Sequence, residues 1–193
     1  MTSRWLLEVA TVRPVSVRWR VMSLSVLNEH LDEDPEGDPD GYLWMPVRVC
    51  AAVEEEFGHE ALGRFYTALG TRLHLGGDWD WRTLFPSSLA AAGLPERLAE
   101  AGGSTAYDAA VRASHEAGTG LVGEDVGTPV IAVRPADGGV DGGGATTAFF
   151  GPCVSPTPRG EAAGRLWDGV LLMAGVAGFY EFKRAPAEPD FTV

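Results

Sequence analysis

From Pro14 to Met22 the chain reads PVSVRWRVM, where Val15, Val17, Trp19 and Val21 alternate with Ser16, Arg18 and Arg20. Side chains two residues apart share one face of a strand, so this period predicts a half-buried strand over 15–22. The next strand-like runs are PVIAV at 129–133 and TTAFF at 146–150. Nearly everything between is helical in period. Pro46 suits a first helical turn; Val49, Cys50, Val53 and Phe57 make one apolar stripe, and Leu62, Phe65, Tyr66 and Leu69 make a second that stops at Gly70. Pro86 and Pro95 read as helix starts, Ser104 as the N-cap of a helix through Tyr107 and Val111, and Gly118 as its stop. An opening helix over 2–12 carries Trp5, Leu6, Val9 and Ala10 and is broken by Pro14. A last helix over 160–177 turns Leu166, Trp167, Val170, Leu171 and Ala174 inward. The order helix, strand, helical block, strand, strand, helix specifies an α/β layer with a helical insertion. The opening helix has an apolar face to cover, yet no strand precedes it to begin a βαβ unit.

Composition removes several function classes. A chain of 193 residues, 45% hydrophobic and 22% charged, is an ordinary globular chain with room for one core, or one core and an inserted subdomain. A formal net charge of -12 repels a phosphate backbone, which argues against nucleic acid as a partner. The longest apolar stretch, GVLLMAGVAG at 169–178, is too short to cross a bilayer, and MTSRWLLEVATVR has no secretory pattern, so the cytoplasm is the expected compartment. Residues 31–41, LDEDPEGDPDG, read as an exposed acidic loop whose prolines break the register of a calcium site. Four histidines occur singly, without metal-ligand spacing, and GGGATT lacks the ending of a phosphate loop. Cys50 and Cys153 are expected as two reduced thiols, one packed on a helix and one near a strand end.

The sequence resembles the DsbA-like branch of the thioredoxin fold, and within it the mycothiol-dependent nitroreductase-type oxidoreductases of actinobacteria. The stretches that carry the resemblance are TSRW at 2–5, VMSL at 21–24, LNE at 27–29, PVRV at 46–49, YTALG at 66–70, AGLP at 92–95, AYD at 106–108, GEDVGTP at 123–129, FFGP at 149–152 and PRGE at 158–161. They imply a thioredoxin-like (DsbA-type) fold with an inserted all-helical subdomain. Residues 1–30 and 124–184 would form an incomplete thioredoxin-like domain, 43–122 the helical insertion and 185–193 a tail. Residues 136–145 look like an insertion relative to the family pattern and are expected to be mobile.

The resemblance also implies where chemistry would occur. In thioredoxin-like folds a cis proline opens a strand beside the redox cysteines, and the backbone of the preceding residue can pair with a thiol substrate; that role falls on Thr128 and Pro129. A proline at the first residue of a strand forfeits no ladder donor, which agrees. Asn28 matches a substrate-binding position of the family, with capping of the turn after the strand as its equally weighted alternative. His115 matches a family histidine, although a single histidine on a helix is more often surface or core. The family's Cys-Pro-x-Cys motif stands at the start of the first helix, where the helix dipole lowers a thiol pKa. No such pair occurs here, so the first strand and the redox cysteines are expected to be missing from an N-terminally truncated chain.

Two functions follow. One is a thiol-disulfide oxidoreductase using mycothiol or a similar low-molecular-weight thiol on a disulfide or nitro substrate, inactive as it stands for want of catalytic residues. The other is a non-catalytic thioredoxin-like protein that binds in a groove beside Pro129. An unpaired edge at Val15–Met22 would favour a homodimer or aggregation.

Overall fold

A computed structural model describes residues 1–31, 35, 37, 38, 40–123, 125–134 and 146–185. The expected insertion at 136–145, all of the tail but Ala185, and part of the acidic run lie outside these residues. Six α-helices and one two-stranded sheet are described: α1 (Thr2–Val12), α2 (Leu24–Asn28), α3 (Trp44–His74), α4 (Trp81–Ala91), α5 (Asp108–Thr119), β1 (Val130–Val133), β2 (Thr147–Phe150) and α6 (Gly160–Ala174). Two 3-10 helices, Glu96–Gly103 and Thr105–Tyr107, lie between α4 and α5. The described chain is thus a mixed α/β structure, mostly helical. It divides into two units, one of Met1–Val17 with Thr119–Val193, the other Arg18–Gly118.

In the first unit α1 packs on α6 and the hairpin. Trp5 and Val9 are fully buried, with Ile131 from β1 and Ala163, Trp167 and Val170 from α6 in the same cluster. The Trp5 and Trp167 rings meet at 5.9 Å, and the Trp5 indole N–H donates to the Ala163 carbonyl at 3.1 Å, so its one polar atom is satisfied. The α6 N-terminus has no side-chain cap of its own; the Glu8 carboxylate of α1 accepts from the Gly160 N–H at 3.2 Å. Arg13, just past the end of α1, pairs with Glu161 at 2.8 Å and Asp168 at 2.7 Å. β1 and β2 are antiparallel, with Val130 opposite Phe150 and Val133 opposite Thr147, and they lie in the runs PVIAV and TTAFF that were expected as strands.

The second unit is built on α3, a pair of helical runs broken at Gly58, whose φ of 80° only glycine adopts without cost. Val49, Val53, Phe65, Leu84, Phe85 and Leu89 form its buried centre. Of the expected stripes, Phe57 and Tyr66 are corrections: both are exposed. Phe57 ends the first run, where the Gly58 break turns the chain, and Tyr66 lies at the margin of the core, its ring 6.2 Å from that of Trp19. The second run continues beyond Gly70 to His74.

Two further expectations are corrected. Pro86 does not start a helix; it lies inside α4, which Asp80 caps by accepting from the Arg82 N–H at 3.1 Å. Burial of Leu84, Phe85 and Leu89 outweighs the one bond the proline cannot donate. The segment 15–22 alternates in burial as a strand should, with Ser16, Arg18 and Arg20 exposed and Val21 buried, but forms no ladder among the described residues. A period of two reports which side chains face a core; a strand needs a partner as well. Ser114 of α5 supplies part of one: its hydroxyl accepts from the Val21 N–H at 3.1 Å and donates to the Val21 carbonyl at 2.7 Å. Trp19 and Val21 belong to the helical unit's core, so residues 18–30 group with that unit and not with 1–17.

Candidate active site

The Thr128–Pro129 peptide bond is cis, as are Gly151–Pro152 and Ser155–Pro156, which the sequence did not single out. Pro129 stands one residue before β1 and its carbonyl accepts from the Gly151 N–H at 2.8 Å, carrying the hairpin one pair beyond Val130 and Phe150. The proline therefore sits where its missing N–H leaves no ladder acceptor unfilled. Thr128 is exposed, and among the described residues no hydrogen bond engages its backbone.

Asn28 closes α2, in the other unit. It is half-buried, and its backbone carbonyl accepts from the Leu31 N–H at 2.9 Å. The N-terminal cap of this short helix is Ser23, whose side chain accepts from the Val26 N–H at 3.3 Å. His115 is buried on α5, and the Glu29 carboxyl is held below the usual carboxylate range, chiefly by the hydrogen bonds from Arg112.

The two thiols differ in kind. Cys50 is buried in α3 and burial pushes its pKa up to about 12, which makes it a packing residue and not a nucleophile. Cys153 is exposed and follows the cis Gly151–Pro152 bond. It lies by the start of α1, where the Thr2 hydroxyl donates to the Pro152 carbonyl at 2.7 Å. Both cysteines are free, and neither is part of a Cys-x-x-Cys pair. Among the described residues no group of three or more His, Cys, Asp or Glu could hold a metal ion. No helix among them is long and apolar enough to cross a membrane.

Sequence reasoning missed two charged clusters. Arg13 with Glu161 and Asp168 joins α1 to α6, and the arginine depresses both carboxyl pKa values. Around Trp44, Glu29 pairs with Arg112 and Arg48 with Asp108. The second had a local signal, since Trp44 and Arg48, like Asp108 and Arg112, stand four residues apart on one helix face.

The chain is 28% identical over 193 residues to the uncharacterized protein Rv2286c of Mycobacterium tuberculosis, an alignment covering 98% of this chain and 77% of that one. The family model described as Rv2466c-like, mycothiol-dependent nitroreductase Rv2466c, matches residues 1–184. The match covers both structural units, and the chain belongs to the Rv2466c-like family of mycothiol-dependent oxidoreductases.

Proposed function

We propose that this chain carries the substrate-facing part of a mycothiol-dependent thiol-disulfide oxidoreductase, nitroreductase-like in activity, on a thioredoxin-like (DsbA-type) scaffold with a helical insertion. Thr128, Pro129 and Asn28 are its substrate-facing residues. The observation that carries the reading is the exposed Thr128 backbone in front of Pro129 at the mouth of β1, unbonded among the described residues, in a chain of a mycothiol-dependent family. A thiol or mixed disulfide can lie along that backbone as one further extended strand would.

The chemistry needs a dithiol that is not among these residues. Such a pair gives two electrons and two protons to the disulfide or nitro substrate and closes to a disulfide; two mycothiol thiols, oxidised to their own disulfide, reopen it. The buried Cys50 and the unpaired Cys153 do not supply that pair. In this reading the 193 residues bind substrate, and a Cys-Pro-x-Cys dithiol that is not among them turns it over. The cytoplasm is its proposed compartment, a low-molecular-weight thiol and a disulfide or nitro compound its partners, and a homodimer its proposed assembly.

Titration of the 15N-labelled chain with oxidised mycothiol tests the binding half. Saturable shifts of the Thr128 and Val130 amides are expected, with Val53 in the helical core unmoved. Shifts spread uniformly over the chain, or none at Thr128, would refute the reading.

A further inference from the structure

The end of α6 and the residues after it carry the densest exposure of large apolar side chains among the described residues. Leu172 is 76% exposed, Tyr180 95% and Phe182 73%, and Val176 and Phe179 are exposed as well. These five fall between 172 and 182, whereas no other described stretch of that length holds more than two. Single exposed apolar residues are ordinary, but a concentration of them marks a contact surface.

The change happens along one line of the helix. Arg165, Asp168, Leu172 and Val176 follow one another at spacings of three and four, which puts them on one face, and all four are exposed. The helical turn persists past Ala174, since the Val176 N–H donates to the Met173 carbonyl at 3.0 Å. The inner face is already covered: Ala163, Trp167 and Val170 are buried with Trp5 and Val9. As far as Asp168 the outer face is charged, as a face in water should be; from Leu172 it is apolar. No residue from Gly169 to Tyr180 is charged, and Lys183 and Arg184 follow Glu181 just beyond.

We propose that residues 172–182 form the face through which two copies of this chain associate, each presenting the same residues to the other across a two-fold axis. This rests on the homodimer proposed above and names its surface. The area fits. The exposed parts of the five side chains amount to on the order of 500 Å² of apolar surface. One partner in a standard interface gives up about 800 Å², about three-fifths of it apolar. The charge fits too. Two chains of formal net charge -12 repel, and meeting at a charge-free stretch keeps carboxylates out of the buried centre, with Lys183 and Arg184 at its margin. A lipid surface fits worse, because a helix that lies on a membrane carries Lys and Arg on its polar face, whereas the charged residues of α6 are Glu161, Arg165 and Asp168.

The test is sedimentation equilibrium of the 193-residue chain over a range of concentrations. Wild type is compared with the double variants Leu172→Glu with Val176→Glu and Tyr180→Ser with Phe182→Ser. Trp79→Ser, which alters an exposed tryptophan of the other unit, is the control. Wild type should dimerise. The two glutamates of each copy would face those of the other, so the first double variant should raise the dissociation constant at least about a hundredfold. Loss of the two aromatic side chains should raise it about tenfold or more, and Trp79→Ser should leave it unchanged. All four substituted side chains are exposed, so circular dichroism spectra should match wild type; should the glutamate variant fail to fold, the serine variant decides. A dimer that persists in both double variants, or that Trp79→Ser alone dissociates, would overturn this surface and leave the homodimer standing. A wild-type chain that stays monomeric throughout would overturn both, and its binding to phosphatidylglycerol vesicles, lost in the glutamate variant, would give the face to lipid instead.

Discussion

Gly63 lies on α3 directly beneath Trp19, and a Cβ added there would overlap the indole ring. Alanine is otherwise the better helix former, by about 1 kcal/mol. The overlap wins, because the ring is wide and rests near Tyr66. Gly63→Ala should therefore cost about 1–3 kcal/mol in urea unfolding. At Gly70 the nearest atom to an added Cβ is 4.0 Å away, and Gly70→Ala should stabilise by about 0.5–1 kcal/mol. Equal effects at the two sites would contradict this packing. The thiols give a second residue-scale prediction: in native protein a maleimide should label Cys153 alone, and Cys50 only after unfolding. Native labelling of both would show that α3 is not packed as described. Single residues were legible in the sequence where the family resemblance marked them, as at the cis Pro129. They were not where space decides, as at Gly63, because nothing near Gly63 in sequence announces a ring arriving from residue 19.

At the scale of elements, α1 and α6 are locked by Arg13 between Glu161 and Asp168. Both carboxyl pKa values are depressed, first by hydrogen bonds from Arg13. A group whose folded pKa lies below its unfolded one stabilises the fold above the unfolded value, and that contribution is lost as pH falls through the folded pKa. Stability should therefore drop as pH falls below the ordinary carboxylate range, about pH 4, and Arg13→Met should flatten this part of the profile. An unchanged acid limb in Arg13→Met would count against the lock, as measured by melting temperature against pH. The pairing of β1 with β2 was legible because the two strand runs lie close in sequence, whereas the 15–22 run was misread because alternation shows burial and not pairing. Hydrogen exchange separates the two: amides from Ser16 to Arg20 should exchange far faster than those of Val130 to Val133, and equal protection would restore the strand.

For the whole molecule, the family was carried by stretches scattered from TSRW to PRGE, and the structure gives physical reasons for several of them. TSRW, FFGP and PRGE meet in one unit through Thr2, Pro152 and the Arg13–Glu161 pair, with Trp5 against Ala163 just beyond PRGE; LNE, PVRV and AYD meet in the other. Neither convergence could be read from spacing, since both depend on contacts more than fifty residues apart. The central proposal is that these residues receive substrate while the reacting thiols come from a Cys-Pro-x-Cys strand that is not among them. The most direct measurement is mycothiol-dependent reduction of a nitro compound by the 193-residue chain, beside the same chain extended at its N-terminus by such a strand. Turnover by the extended chain, lost when its first cysteine is changed to serine, and none above buffer by the 193 residues, is the expected result. Turnover by the 193 residues alone, or none by the extended chain, would contradict it.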